Sequence, residues 1–212
     1  MSAARIMLVD DHPIVREGYR RLIERRPGYA VVAEAADAGE AYRLYRETTP
    51  DIVVMDLTLP GPGGIEATRH IRQWDGAARI LIFTMHQGAA FALKAFEAGA
   101  SGYVTKSSDP AELVQAIEAI LAGRRAMSPD IAQEIAEERV EGRATAIADL
   151  SPRETEILRM LASGMTSDEI AAGLCLSVKT VQNNHYQIKA KLGARTDAHL
   201  VWVAIEAGLV RR

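Results

Sequence analysis

Several features that define whole classes of protein are scarce or missing in this chain. Among its 212 residues there is one cysteine, Cys175, which excludes an internal disulfide and a multi-cysteine zinc site. No apolar run approaches the roughly 20 residues of a membrane span, and the run at the N-terminus is too short for a signal peptide. These absences predict a protein without membrane insertion that works in a reducing compartment such as the cytoplasm.

Net charge is also small, at −3 over the whole chain, which argues mildly against a nucleic-acid-binding protein. The charge is unevenly distributed, however. Residues 1–122 carry a net −3, residues 123–149 a net −2 and residues 150–212 a net +2. The last third of the chain therefore keeps a weakly basic character. With 48% apolar and 25% charged residues, the composition is that of a folded globular protein.

Residues 1–122 alternate between short apolar runs and amphipathic segments. The apolar runs predict β-strands at residues 5–9, 30–36, 51–56, 79–84 and 101–105. The amphipathic segments predict helices at residues 12–26, 39–48, 63–74, 89–98 and 110–121. Five strand–helix repeats in succession are typical of an α/β fold, with a five-stranded parallel sheet and helices on both faces.

Polar residues collect where the predicted strands end. Asp10 and Asp11 follow the first strand, Asp56 ends the third, Thr84 ends the fourth and Lys106 follows the fifth. Because ligands bind at the carboxyl ends of the strands in such a sheet, these side chains predict a single site. Repulsion among three carboxylates indicates a hard cation such as Mg²⁺. An aspartate beside a cation and a lysine can accept a phosphoryl group.

Residues 150–212 show no strand pattern and predict an all-α domain of four helices. The helix starts are marked by capping residues at Ser151, Thr166, Ser177 and Thr196, the first two in capping boxes. A short turn at residues 174–176 gives the second and third helices the spacing of a helix-turn-helix. Residues 123–149 are acidic and poor in large apolar side chains, which predicts a partly helical linker.

The third helix of this domain is rich in amide and basic side chains. Asn and Gln can bond adenine edges in the major groove, and Lys can contact phosphates, so the helix suits DNA. The alternative interpretation is an amide-rich, solvated helix of a simple bundle. The candidate DNA-facing residues are Lys179, Thr180, Gln182, Asn183, Tyr186 and Lys189.

Residues 5–122 resemble the receiver domain of response regulators. The resemblance rests on Asp10-Asp11, on Asp56 within Val-Val-Met-Asp-Leu-Thr-Leu-Pro-Gly, and on Thr84 and Lys106. It implies a flavodoxin-like fold in which Asp56 accepts phosphate from a sensor histidine kinase.

The same resemblance assigns further roles. Asp11, Asp56 and the backbone carbonyl of Thr58 would bind Mg²⁺, with Asp10 acting through a water molecule. Lys106 would pair with the phosphoryl group. Thr84 and Tyr103 would move as the switch.

Two positions near this site are less typical. Many receivers have Lys-Pro where this chain has Lys106-Ser107. His86 lies two residues after Thr84, and we expect an exposed loop histidine there. The alternative is that His86 tunes the lifetime of the phosphoaspartate.

Residues 150–212 resemble the LuxR-type helix-turn-helix domain, and the two halves together resemble NarL/FixJ-type response regulators. The matching segments are Leu-Ser-Pro-Arg-Glu-Thr-Glu-Ile-Leu at 150–158, Leu-Ser-Val-Lys-Thr-Val at 176–181 and Ile-Lys-Ala-Lys-Leu-Gly at 188–193. The resemblance implies that residues 178–191 form the recognition helix. It also implies a dimer contact on the last helix, with Val201, Trp202 and Ile205 as candidates. The family often has lysine at Gln182 and histidine at Asn184, so its base preferences do not transfer.

These observations predict a phosphorylation-controlled transcriptional regulator. Its expected parts are a receiver at 1–122, a linker at 123–149 and a DNA-binding domain at 150–212. Its expected partners are a histidine kinase, promoter DNA, a second copy of the chain when active and, as a further candidate, RNA polymerase. We expect no enzymatic activity beyond slow self-dephosphorylation, and a location in the bacterial cytoplasm.

Three alternatives remain open. A phosphatase of the haloacid-dehalogenase type needs an acid two residues after the nucleophile, where this chain has Thr58. A nucleotide-binding loop at Gly61-Pro62-Gly63-Gly64 lacks its third glycine, because Glu66 stands there. The last alternative is a phosphorylation-independent DNA-binding protein that uses the receiver as a dimerisation scaffold.

Overall fold

The protein is described by a computed structural model, which covers residues 3–141, 147 and 149–210. These residues form two compact units. The first takes the described residues up to His86 and those from Ala92 to Ile131, and the second takes Gln87–Phe91 and those from Ala132 onward. Among the helices of these residues, none is both long and apolar enough to cross a membrane.

The first unit is a parallel sheet with helices between its strands. Its strands are β1 Ala4–Val9, β2 Tyr29–Ala35, β3 Ile52–Met55, β4 Ile80–Thr84, β5 Gly102–Thr105 and β6 Ala126–Met127. The helices that follow the first five strands in turn are α1 Pro13–Glu24, α2 Ala38–Thr48, α3 Gly63–Trp74, α4 Ala89–Glu97 and α5 Pro110–Leu121. A further helix, α6, spans Pro129–Glu141 and belongs to the second unit from Ala132 onward.

The strand order is β2-β1-β3-β4-β5-β6, and every recorded pairing is parallel. This is the doubly wound, flavodoxin-like arrangement, in which the chain changes direction between β1 and β3. Every residue of β3, β4 and β5 is buried, as expected of strands covered by helices on both faces. The predicted fold class is therefore confirmed.

The predicted strand count was wrong by one, because the sheet has six strands rather than five. The α5 helix ends at Leu121, and Gly123 follows with a φ of +79°, which lets the chain reverse. Ala126 then donates its N–H to Ser101 O, and Ser128 donates to Tyr103 O at 3.0 Å. Two residues are too short a strand for an alternating pattern to reveal, so β6 falls within the segment that was predicted as linker. Residues 142–146 and 148 of that segment lie outside the described residues.

One apolar core joins the sheet to helices on one of its faces. Branched and aromatic side chains on the central strands contact the inner side of α5, and each such burial stabilises the fold by about 1.5–3 kcal/mol. The fully or nearly buried members of this cluster include Ile6, Leu8, Ile23, Ile52, Val54, Leu81, Phe83, Leu113 and Ile117. This packing holds the strand ends in register, on which the site depends.

The second unit contains four described helices after α6, as predicted. They are α7 Pro152–Ala162, α8 Ser167–Gly173, α9 Val178–Lys191 and α10 Asp197–Glu206. Ser151 and Thr166 form complete capping boxes with Glu154 and Glu169. Between α8 and α9, Cys175 has a φ of +53°, which turns the chain sharply. The second unit therefore has a helix, a tight turn and a second helix at α8–α9.

Near the end of β3, two backbone segments approach so closely that position 64 must be glycine. Gly64 lies in the first turn of α3, and its N–H donates to Leu57 O at 2.9 Å. A Cβ at this position would overlap the carbonyl oxygen of Asp56. The missing side chain therefore lets α3 pack directly against the backbone that carries Asp56.

We expect Gly64→Ala to destabilise the first unit by about 2–3 kcal/mol, because the added methyl group meets backbone that must shift. Gly18→Ala is the control, since Gly18 lies inside α1 with open space around it and alanine favours helix by about 1 kcal/mol. Urea unfolding measures both changes. Trp74 and Trp202 lie in separate units, so Trp74 fluorescence in a Trp202→Phe background reports the first unit alone. Equal stability of the two variants would contradict the close-contact interpretation.

Candidate functional site

The strand ends bring the predicted site residues to one edge of the sheet. Asp56 donates its backbone N–H to Val9 O at 2.8 Å, which aligns the ends of β1 and β3. Lys106 donates its backbone N–H to Thr84 O at 2.7 Å, which aligns the ends of β4 and β5. The side chains that follow these strands therefore share one crevice, as the strand pattern predicts.

Lys106 is the electrostatic centre of this crevice. Its Nζ lies 2.6 Å from Asp10 Oδ2 and 2.7 Å from Asp56 Oδ2. All three side chains are more than nine-tenths buried. Burial lowers the pKa of Lys106, but the carboxylates of Asp56 and Asp10 outweigh burial and raise the pKa above its usual value. The ammonium group is therefore charged and holds two carboxylates together.

A second group of ligand atoms lies beside this pair. Carboxylate oxygens of Asp10 and Asp11 and a ring nitrogen of His12 all lie within 4.8 Å of one another. His12 Nδ1 is 2.7 Å from Asp11 Oδ1, but the contact lacks hydrogen-bond geometry, so this buried oxygen has no hydrogen-bond partner. His12 was missed by sequence reasoning, although it directly follows the two acids. Asp56 does not belong to this group of three ligand residues.

The two residues predicted to move as the switch are buried. Thr84 and Tyr103 are fully buried, and the Tyr103 hydroxyl donates to the backbone carbonyl of His86 at 3.0 Å. The Thr84 hydroxyl accepts from the His86 N–H at 3.3 Å. Through His86, the end of β4 is thus connected to the middle of β5.

The expectation of an exposed His86 was wrong. Its side chain is buried, and Nε2 lies 3.0 Å from the Thr58 hydroxyl. Thr58 in turn donates its N–H to Asp56 Oδ1 at 3.3 Å. His86 is therefore two contacts away from Asp56. No motif in the sequence indicates this contact, which joins loops 28 residues apart.

The α9 helix presents its polar residues to solvent. Lys179, Thr180, Gln182, Asn183 and Tyr186 are all exposed, and Tyr186 is 82% exposed although it is a large aromatic residue. Val181 and Ile188 form the buried side of the helix. The predicted DNA-facing set thus lies on one accessible side of the helix, apart from Lys189.

Two of the three lysines on α9 are paired with carboxylates of the same unit. Lys189 Nζ lies 2.9 Å from Asp197 Oδ1, and Lys191 Nζ lies 2.7 Å from Glu154 Oε2. Burial raises the pKa of Glu154, but the hydrogen bonds from Lys191 and Ser151 outweigh it and lower the pKa overall. Among the described residues, no carboxylate lies within ion-pair distance of Lys179.

The predicted dimer-contact residues lie on α10. Trp202 is 51% exposed, whereas Val201 and Ile205 are half-buried. The opposite side of α10, with Leu200 and Ala204, is buried in the second unit. The dimer contact stays a prediction, with Trp202 its most accessible member.

Comparison with known proteins agrees with this architecture. Residues 6–118 match the response regulator receiver domain, and residues 148–204 match the bacterial regulatory proteins of the luxR family. Response regulator UvrY of Escherichia coli strain K12 is 39% identical over 206 residues, which cover 96% of this chain and 94% of that protein.

Two solved structures are also similar. A crystal structure of a two-component response regulator of the LuxR family, from Aurantimonas sp. SI85-9A1, is 98% identical and covers 66% of this chain and 99% of that one, with a TM-score of 0.65. RcsB from Salmonella enterica serovar Typhimurium, bound to promoter rprA with the phosphomimetic BeF₃⁻, is 26% identical. The match covers 95% of this chain and 98% of the RcsB chain, with a TM-score of 0.67.

A doubly wound sheet with a lysine between strand-end carboxylates, joined to a helix-turn-helix unit, defines a receiver linked to a DNA-binding output domain. The chain belongs to the two-component response regulators of the NarL/FixJ type, which are transcription regulators with a LuxR-type DNA-binding domain.

The buried charges predict effects of very different size on stability for two substitutions. Lys106→Met leaves Asp10 and Asp56 buried without their cation, and we expect a loss of about 3 kcal/mol. Asp56→Asn keeps the Lys106–Asp10 pair and removes one of two like charges, so we expect a change within about 1 kcal/mol. Urea unfolding in EDTA, followed by Trp74 fluorescence as above, measures both. A Lys106→Met variant as stable as the parent would show that the two carboxylates do not depend on this cation.

Proposed function

We propose that Asp56 accepts a phosphoryl group and that its phosphorylation controls DNA binding by the second unit. The observation that carries this proposal is the Lys106 ammonium group, buried between Asp10 and Asp56. A carboxylate oxygen of Asp56 attacks phosphorus, and the bond from phosphorus to the donor's leaving atom breaks, here the histidine nitrogen of a sensor kinase. Lys106 is placed to neutralise the incoming charge.

The residues at this edge fit a magnesium ion. Asp11 Oδ1 is a buried carboxylate oxygen without a hydrogen-bond partner, and oxygen ligands of this kind suit Mg²⁺. Asp11, Asp56 and the backbone carbonyl of Thr58 would hold the ion, with Asp10 acting through water. When bound, the ion supplies positive charge beside the phosphoryl oxygens.

Phosphorylation would change the balance of charge at Lys106. The phosphoryl group adds about 1.5–2 negative charges to Asp56, which favours its pairing with Lys106 over the pairing of Asp10. We propose that the Thr84 hydroxyl turns toward the phosphoryl group and gives up its contact with the His86 N–H. Tyr103 bonds the carbonyl of the same residue, so a shift of that loop reaches β5.

DNA would be read from α9. Lys179 suits a phosphate, while Gln182 and Asn183 suit base edges, and Thr180 and Tyr186 lie on the same exposed side. Two copies, joined through α10 near Trp202, would bind half-sites about one helical turn apart. The structure of Salmonella RcsB on its promoter supports this mode of binding by analogy.

The remaining parts of the proposal concern organisation and partners. We propose a receiver at 1–122, a linker at 123–149 and a DNA-binding domain at 150–212. The partners would be a histidine kinase, promoter DNA, a second copy of the chain and RNA polymerase at the promoter. The chain would act beside the chromosome in the bacterial cytoplasm, as a phosphoacceptor with at most slow self-dephosphorylation.

Asp56→Asn should abolish labelling by ³²P-acetyl phosphate in the presence of Mg²⁺, because the amide cannot form the acyl phosphate. Asp51→Asn is the matched control: Asp51 is exposed, precedes β3 at its other end and should label like the parent. Asp11→Asn should label at least tenfold more slowly, since it removes a proposed ligand of the ion. Undiminished labelling of Asp56→Asn would exclude Asp56 as the acceptor. Full labelling of the parent without any change in its DNA affinity would favour the scaffold alternative.

Lys179→Ala should weaken binding to duplex DNA and reduce the slope of log Kobs against log[salt] by about 0.9, the value for one lost phosphate contact. Lys191→Ala is the control on the same helix, because Lys191 is paired with Glu154 and should change the slope little while lowering stability. Fluorescence anisotropy over a series of KCl concentrations measures both. An unchanged slope for Lys179→Ala would remove this residue from the DNA contacts.

A further inference from the structure

We propose that Asp197 acts as an internal substitute for a DNA phosphate, holding Lys189 out of contact with DNA and thereby limiting the affinity of the second unit. This inference rests on the proposed function, since it presumes that α9 binds DNA. It concerns a residue outside α9 and outside the helix-turn-helix.

The contact geometry is that of an anion held by two basic side chains. A single oxygen, Asp197 Oδ1, lies 2.9 Å from Lys189 Nζ and 2.9 Å from His185 Nε2. Both bases come from α9, four residues and so about one turn apart, which places them side by side. The hydrogen bond from Lys189 lowers the pKa of Asp197, so the carboxylate is ionised at neutral pH.

The carboxylate is more exposed than either of the two bases that it contacts. Its side chain is 69% exposed, whereas those of Lys189 and His185 are 27% and 24% exposed. Asp197 is the first residue of α10, and the neighbouring cap, in which Thr196 accepts the His199 N–H, fixes the start of that helix. A phosphate oxygen that approached Lys189 would compete with Asp197 for the same ammonium group.

Comparison with the second paired lysine, Lys191, shows that the Asp197 pair contributes little to the stability of the fold. Lys191 contacts Glu154, whose side chain is 5% exposed and also closes the capping box of α7. Loss of that pair would leave a buried carboxylate without its cation. Loss of the Asp197 pair leaves an exposed carboxylate, and such pairs contribute roughly 0–1 kcal/mol to stability. The Asp197 pair can therefore be removed at little cost to the fold, while its effect on DNA remains.

The small net charge of the second unit makes the pairing of even one lysine important for its affinity for DNA. Residues 150–212 have a net charge of only +2. Of the three lysines on α9, the ion pairs described above leave Lys179 as the one without a carboxylate partner among the described residues. Release of Lys189 would therefore double the number of unpaired lysines on this helix.

The test compares Asp197→Asn with Asp168→Asn in the full-length chain. Both changes remove one negative charge from the second unit, but Asp168 lies exposed in the first turn of α8, outside the contacts described for α9. The probe is a mixed-sequence duplex of about 30 base pairs, titrated at several KCl concentrations. We expect Asp197→Asn to steepen the salt slope by about 0.9, for one new phosphate contact, and to tighten binding roughly tenfold at low salt. Asp168→Asn should leave the slope unchanged.

Lys189→Gln provides a second test that leaves Asp197 intact. If Asp197 keeps Lys189 from the phosphates, this variant retains the parental salt slope, whereas Lys179→Ala loses about 0.9. The double variant Asp197→Asn/Lys189→Gln should return to the parental slope, because the added contact runs through Lys189. Circular dichroism checks that each variant keeps its helices.

The possible outcomes distinguish a failure of the role proposed for Asp197 from a failure of the proposed function. A slope lowered by about 0.9 in Lys189→Gln, or equal effects of Asp197→Asn and Asp168→Asn, would overturn the role of Asp197 while leaving DNA binding by α9 intact. A steeper slope for Asp197→Asn that persists in the double variant would also overturn it. Failure of the parent chain to bind any duplex even after treatment with acetyl phosphate and Mg²⁺ would instead contradict the proposed function.

Discussion

Two carboxylates buried at the ends of adjacent strands are unstable without a cation, and the first unit is arranged around this requirement. Asp10 and Asp56 are brought together by the pairing of β1 with β3, and Lys106 is brought to them by the pairing of β4 with β5. The ends of β1, β3 and β5 therefore each contribute one charge to a cluster that none could form alone. A change of charge on Asp56 alters the interaction that keeps Lys106 in place, which would couple the phosphorylation proposed for Asp56 to the position of β5.

The two units use lysine in different ways. Lys106 is buried, so its ion pairs are strong and its removal leaves unpaired charge. The two paired lysines of α9 are more exposed, at 27% for Lys189 and 41% for Lys191. In the proposal above, only the exposed pair of Lys189 with Asp197 limits the positive charge offered to DNA. Burial thus separates a cation that organises a site from one whose partner can be exchanged.

Much of the fold and of the site could be predicted from the sequence, because it rests on local or periodic signals. The apolar runs ending in Asp10, Asp56 and Lys106 indicated both the strands and the edge at which they meet, and the capping boxes at Ser151 and Thr166 indicated two helix starts. Side-chain contacts that follow from no strand or helix pattern were not predictable in this way.

The features missed have physical reasons of their own. The β6 strand forms because β5 offers an unpaired edge, and its two residues carry no pattern. The contact of His86 with Thr58 and that of Asp197 with Lys189 depend on side-chain directions set by packing, 28 and 8 residues apart in the chain. The paired lysines also bear on the response of a promoter. If two subunits bind a promoter as proposed, each would hold its half-site weakly because so little charge is available. Occupancy by dimers would then grow with the square of the subunit concentration, and a modest rise in active protein would switch a promoter that a smaller amount leaves empty.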